Sequence, residues 1–330
     1  MEKVLETVNL SAGYVSGKKT DVILHDVTLV LHEGMLVSIL GANGIGKSTL
    51  LRTISGVQRP VAGEVLLCGK PIGAYNRRRL SQLVSIVSTD RTYAGGFTVE
   101  ELVGLGRQPH TGFFGRLDDL DRQIVAQAME SVGIAQKAKA FVAELSDGER
   151  QKTMIAKALA QEARIIILDE PTSFLDVASR IEILRLLHRL AHEEGKSILL
   201  SSHDIAQSLA FSDRLWLLAS DRTLTDGVTE DLVLDGRMND LFVSDSVVFD
   251  SVAGEYLLVG NETKKVAVEA ANLELTRWTT NALRRNGYAV VDAAPLRVVA
   301  RGAHDFLLPE TGETASSIAG LLTLLQSERL

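Results

Sequence analysis

The residue types with the clearest chemistry lie in a glycine-rich segment, residues 41–49 (GANGIGKST). This segment fits the pattern G-x-x-x-x-G-K-[ST], whose backbone N–H groups bind phosphate together with the N-terminus of the following helix. In that pattern Lys47 bridges the terminal phosphates and the hydroxyl of Ser48 is a ligand to Mg²⁺. The apolar residues 35–40 predict a buried strand before the segment, and the helical spacing of residues 48–55 predicts a helix after it. These flanks favour a phosphate-binding loop over an ordinary glycine-rich turn.

Two carboxylates follow a second apolar run, residues 164–168 (RIIIL), which is typical of a strand buried on both faces of a parallel sheet. Ligands bind beyond the carboxyl ends of such strands, so Asp169 and Glu170 are expected beside the phosphate-binding loop. We interpret Asp169 as a Mg²⁺ ligand and Glu170 as a base that activates water, the alternative being a solvated turn. The next buried strand, residues 197–201, brings His203 to the same edge. There we expect it to contact the terminal phosphate rather than serve a purely structural role.

The segment LSDGERQ, residues 145–151, begins a helix. Ser146 with Glu149 three residues later is a capping box, and the helix is predicted to run to about residue 162. Gly148, at the second helical position, has a poor helix propensity but lets a ligand approach the N–H groups of the first turn. The segment is therefore either a well-capped helix start or one that also binds an anion.

The composition limits the classes of protein to which the chain can belong. With 330 residues it can form one large domain and a smaller one. It has no run of about 18 apolar residues, so no transmembrane helix is predicted, and its first residues do not resemble a signal peptide. The formal charge of −7 argues against a general nucleic-acid-binding protein, and the basic residues 77–79 are interpreted as a solvated helix start. The single cysteine, Cys68, excludes an internal disulfide framework.

The order of elements predicts an α/β domain at residues 1–245 and a small α+β accessory domain at residues 246–330. Short strands are expected in residues 1–34 and 57–75, with a turn at residues 69–71, and a helical insertion is expected at about residues 99–145. In the smaller domain, short strands alternate with helices at residues 273–286 and 314–327. The spacing of Trp278 relative to its apolar neighbours predicts a core position.

Taken in order, these motifs resemble those of the ATP-binding subunit of an ABC transporter, over roughly residues 5–240. The resemblance implies a P-loop NTPase fold of the ABC nucleotide-binding type, with a helical insertion and an antiparallel β subdomain. It implies that Tyr14 stacks on adenine, that Asp169 binds Mg²⁺ and that Glu170 is the catalytic base. His203 would be the switch histidine. The positions of the loop that contact the nucleotide would be Gly41, Asn43, Gly44, Gly46, Lys47, Ser48 and Thr49, with Ser146 and Gly148 contacting the nucleotide of the opposing subunit.

Two departures from the pattern of this family affect the site. Residues 145–151 resemble the signature motif of the family, but Asp147 and Glu149 stand where its commonest form has glycine and glutamine. The glutamine expected after the strand at residues 83–88 is absent, because Thr89 occupies its place and Asp90 follows. We hypothesise that Asp90 or a water molecule replaces the glutamine beside Mg²⁺; the other interpretation is that coupling to the transporter is tuned differently.

Residues 99–121 resemble the insertion of ATPases that drive the uptake of iron chelates, haem and cobalamin. This resemblance implies a homodimer that uses ATP and Mg²⁺ at the cytoplasmic face of the cell membrane. Its partners would be integral-membrane permease subunits and, indirectly, a substrate-binding protein; no nucleic-acid partner is expected. The alternatives are a soluble ABC ATPase, an ATP-binding regulator without turnover, and the subunit of an exporter.

Overall fold

The structure of the chain is a computed structural model that describes residues 2–17, 19–88, 96–112, 115–242, 244, 246–258 and 264–327. The chain divides into two units, one formed by residues 1–243 with Phe249–Tyr256, and the other by Ser244–Val248 with Leu257–Leu330. Among the described residues, every helix is too short or too polar to span a bilayer.

Strands and helices alternate through most of the larger unit. The strands up to residue 258 are β1 (Lys3–Ser16), β2 (Lys19–His32), β3 (Leu36–Leu40), β4 (Ala62–Leu67), β5 (Lys70–Pro71), β6 (Val84–Val87), β7 (Ile165–Leu168), β8 (Ser197–Ser202), β9 (Arg214–Leu218), β10 (Leu224–Val228), β11 (Val247–Asp250) and β12 (Glu255–Leu258). The α-helices are α1 (Lys47–Ile54), α2 (Arg77–Ser81), α3 (Val99–Gly104), α4 (Asp119–Ser131), α5 (Asp147–Ala160), α6 (Val177–His192), α7 (Ile205–Phe211) and α8 (Thr229–Leu234).

A mainly parallel sheet forms the centre of the larger unit. Its strand order is β10-β9-β3-β8-β7-β6, in which only the edge strand β10 is antiparallel. Every residue of β3, β7 and β8 is buried, and apolar clusters cover both faces of the sheet, as the predominance of apolar residues in these segments predicts. Because these strands are parallel, the segments that follow β3, β7 and β8 meet at one edge.

A second, antiparallel sheet of order β2-β1-β4-β5 confirms the predicted β subdomain. The predicted turn at residues 69–71 is wrong by one position. The turn is formed by Cys68 and Gly69, whose φ angles are 48° and 76°, and β5 then pairs back with β4. Pro71 is compatible with this pairing because β5 is an edge strand.

The helices α3 and α4 confirm the helical character of the predicted insertion, and each begins with a capping box. Between them Arg107 is buried, and its guanidinium donates hydrogen bonds to Asp121 (2.8 Å) and Glu162 (2.6 Å). The same side chain donates to the carbonyl oxygen of Ala160 at 2.8 Å. Because Ala160 is the last residue of α5, this buried cation ties the insertion to the helix that begins at the LSDGERQ segment.

The smaller unit is an α+β fold, as the sequence predicts. Its elements are β13 (Lys264–Ala270), α9 (Leu273–Arg285), β14 (Tyr288–Val290), β15 (Leu296–Gly302), β16 (Asp305–Leu308), β17 (Glu313–Ala315) and α10 (Ile318–Ser327). The sheet order is β14-β13-β15-β16-β17, in which β13 pairs in parallel with both of its neighbours and the last three strands pair antiparallel.

Two predictions for the smaller unit are wrong. The last helix begins at Ile318 and not at residue 314, because Thr314 pairs with Leu307 between β16 and β17. Trp278 is 57% exposed, whereas the buried face of α9 consists of Thr279, Ala282 and Leu283.

The segment Phe249–Tyr256 follows residue 245 in sequence but packs within the larger unit. Phe249 and Tyr256 belong to an apolar cluster that includes Leu217 of β9. The backbone N–H of Phe249 donates to Asn239 Oδ1 at 2.8 Å, and the Tyr256 hydroxyl donates to the carbonyl oxygen of Met238. These contacts indicate that the larger unit depends on residues beyond 245.

A chain that ends at residue 258 is therefore expected to keep the stability of the larger unit, and a chain that ends at residue 242 is expected to lose much of it. Removing Phe249 and Tyr256 from their cluster should lower the free energy of unfolding by at least about 3 kcal/mol. Urea unfolding of the two truncated chains measures this difference. Phe249→Ala in the longer chain is the matched control and should reproduce a large part of the loss, whereas equal stabilities of the two truncations would contradict the expectation.

Candidate active site

The glycine-rich segment forms the connection between β3 and α1. Gly44 and Gly46 have φ angles of 76° and 129°, which residues with a Cβ rarely adopt. The helix α1 begins at Lys47, and no described side chain caps its N-terminus. Its first N–H groups are therefore free of a side-chain acceptor, as expected for a helix start that binds a phosphate.

The side chain of Lys47 is buried within this loop, with 6% of its surface exposed. Its ammonium group donates hydrogen bonds to the carbonyl oxygens of Gly41 (2.8 Å) and Ala42 (3.2 Å). Burial lowers the pKa of Lys47 below its usual value, and the carboxylates of Glu170 and Asp169 oppose that effect. A desolvated cation held by neutral acceptors gains from an anionic ligand, because phosphate oxygens stabilise its charge better than carbonyl groups do.

The two predicted carboxylates directly follow β7, and a serine of the neighbouring strand fixes both of them. The hydroxyl of Ser201 donates to Asp169 Oδ1 at 2.6 Å, and it accepts the backbone N–H of Glu170 at 2.9 Å. Glu170 has a φ of 47°, a left-handed conformation that is uncommon for a residue with a side chain. Such backbone conformations persist where the surroundings enforce them, and they cluster at functional sites.

The carboxylate of Glu170 is held by two further side chains. Its Oε2 atom accepts a hydrogen bond from Ser173 Oγ at 2.9 Å and lies 3.4 Å from Nδ1 of His203. The structure thus brings together the predicted base and the predicted switch histidine, which lie on segments following different strands. The imidazole of His203 is about half exposed, so it remains accessible to a ligand.

Ser48 and Asp169 line the same cavity of about 510 Å³ beside α1. Their hydroxyl and carboxylate oxygens are hard donors of the kind that Mg²⁺ prefers. The residues present therefore fit the predicted Mg²⁺ site. Thr89, which occupies the place of the missing glutamine, and Asp90, which we hypothesise replaces it beside Mg²⁺ if a water molecule does not, both lie outside the described residues.

Tyr14 lies beside the loop, at the end of β1. Its hydroxyl shares a hydrogen bond of 3.0 Å with Thr49 Oγ1, and 47% of the residue is exposed. The bond anchors the phenol group to the first turn of α1, so the aromatic ring is available at the margin of the loop. Its stacking on adenine stays a prediction.

The helix α5 begins with the predicted capping box. Ser146 Oγ accepts the N–H of Glu149, and the Glu149 carboxylate accepts the N–H of Ser146 at 3.0 Å. That backbone N–H is the main cause of the lowered pKa of Glu149, so this group is an anion at neutral pH. Each unusual acid of the segment also has a cationic partner, since Lys137 lies 3.3 Å from Glu149 and Arg150 lies 2.8 Å from Asp147. These pairs explain how two acids can occupy a helix start that is predicted to face a phosphate.

The structure assigns the loop and the carboxylates to one edge but leaves Ser146 and Gly148 elsewhere. Two cavities border the loop, the one shared by Ser48 and Asp169 and a second of about 200 Å³ that includes Asn43 and His203. Among the described residues, neither cavity is lined by Ser146 or Gly148. This arrangement agrees with the expectation that these two residues act on the nucleotide of another subunit.

Sequence reasoning missed three side chains that position the site. Ser201 and Ser173 hold the two carboxylates. Arg180 of α6 donates a hydrogen bond at 2.8 Å to Asp204, the residue that follows His203. The signal for Ser201 was a hydroxyl inside a buried strand, since a buried polar group requires a partner. For Arg180 the sequence carries no comparable signal, because its partner Asp204 comes from another segment. Ser173 is only three residues after Glu170, but its residue type alone does not indicate the contact.

Each of the two units contains a segment that matches a known protein family. The family described as ABC transporter matches residues 24–173, and the family described as Iron ABC transporter C-terminal domain matches residues 263–326. The iron(3+)-hydroxamate import ATP-binding protein FhuC of Bacillus subtilis is 37% identical over 270 residues, which cover 80% of this chain and 99% of FhuC. The ferric enterobactin transport ATP-binding protein FepC of Escherichia coli is 35% identical over 251 residues, which cover 76% of this chain and 91% of FepC.

A solved structure extends the comparison to an assembled state. It is a dimeric, post-hydrolysis state of an ATP-binding cassette bound to ADP and Pi, similar to this chain with a TM-score of 0.59 and 26% sequence identity. The similarity covers 68% of this chain and 98% of that cassette.

Proposed function

The chain belongs to the family of ABC transporter ATP-binding proteins, and from this membership we propose that it energises uptake of an iron chelate, haem or cobalamin by hydrolysing ATP. The observation that carries the proposal is the convergence of Lys47, Asp169 and Glu170 at one sheet edge, with the lysine charge influenced by both carboxylates. The match of residues 263–326 to the Iron ABC transporter C-terminal domain supports the proposed class of transported ligand.

The loop would bind the phosphates of ATP. Lys47 would exchange its bonds to Gly41 and Ala42 for bonds to the terminal phosphates, while the N–H groups at the start of α1 hold the same anion. Ser48 and Asp169 would hold Mg²⁺, which neutralises charge on the phosphates when it is bound. The exposed ring of Tyr14 offers a surface on which adenine can stack.

Glu170 would accept the proton of the attacking water. Ser173 and Ser201 fix the carboxylate and the backbone of this residue, so the base is oriented before the nucleotide binds. His203, next to the same carboxylate, would donate a hydrogen bond to the terminal phosphate and report whether it is present. Hydrolysis would remove that bond, and with it one contact that keeps the site closed.

Two copies of the chain would complete the sites as a homodimer. Ser146 and Gly148 of one subunit would bind the phosphate held by Lys47 of the other, through the N–H groups at the start of α5. Val177 directly follows residues 173–176 (SFLD), which resemble the D-loop of this family, and it is 67% exposed, as expected for an apolar side chain on a surface that a second subunit covers. The dimeric state of a similar cassette agrees with this assembly.

The homodimer would act on integral-membrane permease subunits from the cytoplasmic face of the membrane. The helical insertion, which Arg107 ties to α5, would transmit closure of the nucleotide site to those subunits. A substrate-binding protein would deliver the ligand on the other side and have no direct contact with this chain. The relatives FhuC and FepC are named for ferric hydroxamate and ferric enterobactin, which makes ferric chelates the first ligands to test.

Three other functions would use the same nucleotide site. A soluble ABC ATPase would hydrolyse ATP, and its loss would leave the uptake of these ligands unchanged. An ATP-binding regulator would bind ATP without hydrolysing it. The oriented base Glu170 and the adjacent His203 favour turnover over simple binding. An exporter would be recognised by accumulation of its ligand in cells that lack it.

Inactivation of the gene in its source organism tests the proposal. The cells are supplied with radioactive iron bound to a hydroxamate or to a catecholate chelate, with haem, or with labelled cobalamin, and uptake is measured. We expect uptake of one of these ligands to fall to background, to return with the wild-type gene and to stay at background with the Glu170→Gln gene. Unchanged uptake of all four ligands would contradict the importer, whichever rate of ATP hydrolysis the purified protein shows.

A further inference from the structure

Two histidines lie next to each other on the last turn of α6. His188 and His192 are four residues apart, which places them on the same face of the helix. Their rings are stacked, with centroids 4.2 Å apart and an angle of 23° between the planes. This pair plays no part in the nucleotide site, whose residues follow the carboxyl ends of β3, β7 and β8.

A carboxylate completes the group. Asp213 directly precedes β9, and its Oδ1 atom lies 3.0 Å from Nε2 of His192. The other oxygen, Oδ2, accepts the backbone N–H of Leu36 at 2.7 Å. The carboxylate is therefore held by the first residue of β3 while one oxygen points toward the histidine pair.

We propose that His188, His192 and Asp213 form a binding site for a divalent transition-metal ion of the Zn²⁺ type. One ligand atom from each of the three side chains lies within 4.8 Å of the other two. Two ligands that share a tetrahedral Zn²⁺ are separated by roughly 3.3 Å, so the contact of 3.0 Å between His192 and Asp213 already fits a shared ion. Only a small movement of His188 is needed to close the group.

The chemistry of the donors selects the ion. Two imidazoles and one carboxylate suit Zn²⁺ and its neighbours, whereas Mg²⁺ prefers oxygen ligands only. The hydrogen bond from Leu36 to Asp213 is the kind of outer contact that orients a metal-binding carboxylate. His192 and Asp213 have side chains 43% and 24% exposed, so water can occupy a fourth position.

Two arginines next to these residues in sequence are engaged with other partners. Arg189 of α6 donates to the carbonyl oxygen of Ser131 and lies 3.5 Å from Glu194. Arg214, which follows Asp213 in sequence, pairs with Asp226 at 3.0 Å. A bound metal ion would therefore join the end of α6 to the starts of β3 and β9, at the edge of the sheet opposite the phosphate-binding loop.

Metal binding to the untagged full-length chain, stripped of metal with EDTA, tests the site. Equilibrium dialysis with Zn²⁺ measures stoichiometry and affinity, and Co²⁺ serves as a spectroscopic probe of the ligands, with excess Mg²⁺ present to fill sites made of oxygen alone. We expect one Zn²⁺ per chain and visible Co²⁺ absorption bands. His188→Gln and His192→Gln should each weaken binding by at least about 10-fold and remove the bands.

His25→Gln is the matched control, because His25 is exposed on β2 and lies outside the group. It should bind Zn²⁺ like the wild type. Asp213→Asn keeps a carbonyl oxygen for the N–H of Leu36 and removes the anionic ligand, so it should weaken binding without unfolding the chain. In the thermal unfolding of each protein, Zn²⁺ should raise the midpoint of the wild type and of His25→Gln but not of His188→Gln.

Either of two results would overturn the site. One is the absence of Zn²⁺ binding by the wild-type chain under these conditions. The other is a folded His188→Gln or Asp213→Asn variant that binds Zn²⁺ with wild-type affinity and gives the same Co²⁺ spectrum.

Discussion

Replacement of Glu170 by glutamine is expected to lower the rate of ATP hydrolysis by at least about 10²-fold, the low end for loss of a general base, while ATP still binds. Glutamine has nearly the same shape and can still accept the hydrogen bond from Ser173. It cannot take a proton from water at neutral pH. The groups that hold the phosphates, above all Lys47, are untouched, so the affinity for ATP should change little.

Phosphate release and equilibrium binding of ATP, measured on the same preparations, separate the two effects. Glu193→Gln is the matched control, since Glu193 is exposed after the end of α6, and it should leave both quantities at their wild-type values. The blocked Glu170→Gln protein should also form an ATP-dependent dimer in gel filtration, because the nucleotide that joins the subunits is no longer removed. Phosphate release near the wild-type rate would show that Glu170 is not the base.

The phosphate-binding loop and its two carboxylates could be predicted because local sequence determines them. A short apolar strand, a glycine loop and a helix start identify residues 41–49 without knowledge of the tertiary structure. An uninterrupted apolar run implies a strand buried on both faces, and in a parallel sheet the residue after such a strand lies at the ligand edge. The positions of Asp169, Glu170 and His203 follow from this rule alone.

The contacts that orient the carboxylates could not be predicted, because they depend on the register between strands. Ser201 faces Asp169 because Leu168 pairs with Leu200 between β7 and β8, residues that are far apart in sequence. No local pattern specifies that pairing. The contact of Ser173 with Glu170 joins residues three positions apart, next to a left-handed backbone at Glu170 that its residue type does not predict.

The two errors in the smaller unit have a related cause. Residues 314–327 show helical spacing in their apolar positions, but Thr314 pairs in a strand whose partner, Leu307, is supplied by β16. For α9 the apolar spacing groups Trp278 with Ala282 and Leu283, since Trp278 is one turn before Ala282. The face that is buried contains Thr279, Ala282 and Leu283 and leaves Trp278 exposed, and this choice is made by packing and not by the helix itself.

Two inactive variants are expected to restore ATP hydrolysis to each other when they are mixed. Lys47→Ala removes the cation that holds the phosphates but leaves the start of α5 intact. Gly148→Asp places a negative charge at that helix start, where it should repel the phosphate of the opposing subunit. Aspartate is favourable in the first turn of a helix, and its Cβ would lie 3.1 Å from the hydroxyl of Ser179, which can rotate away, so the variant should fold.

In a head-to-tail dimer each site takes Lys47 from one subunit and Gly148 from the other. A mixed dimer of the two variants therefore contains one fully intact site and one site with both defects. Random pairing at equal concentrations makes half of the dimers mixed, so the mixture should reach about a quarter of the wild-type rate per subunit if a single site turns over independently. Phosphate release by each variant alone and by the mixture measures this recovery.

A mixture of the wild type with Lys47→Ala calibrates the result, because its mixed dimers also contain a single intact site. If those dimers are active and the two variants still fail to restore hydrolysis to each other, Gly148 acts within its own subunit and the shared site is wrong. The double variant Lys47→Ala, Gly148→Asp serves as a second control, since its mixture with Lys47→Ala contains no Lys47 and should stay inactive. Recovery in the first mixture together with inactivity in the second would establish that the helix start containing Gly148 completes the site of the partner, which is the arrangement that lets ATP binding close the dimer.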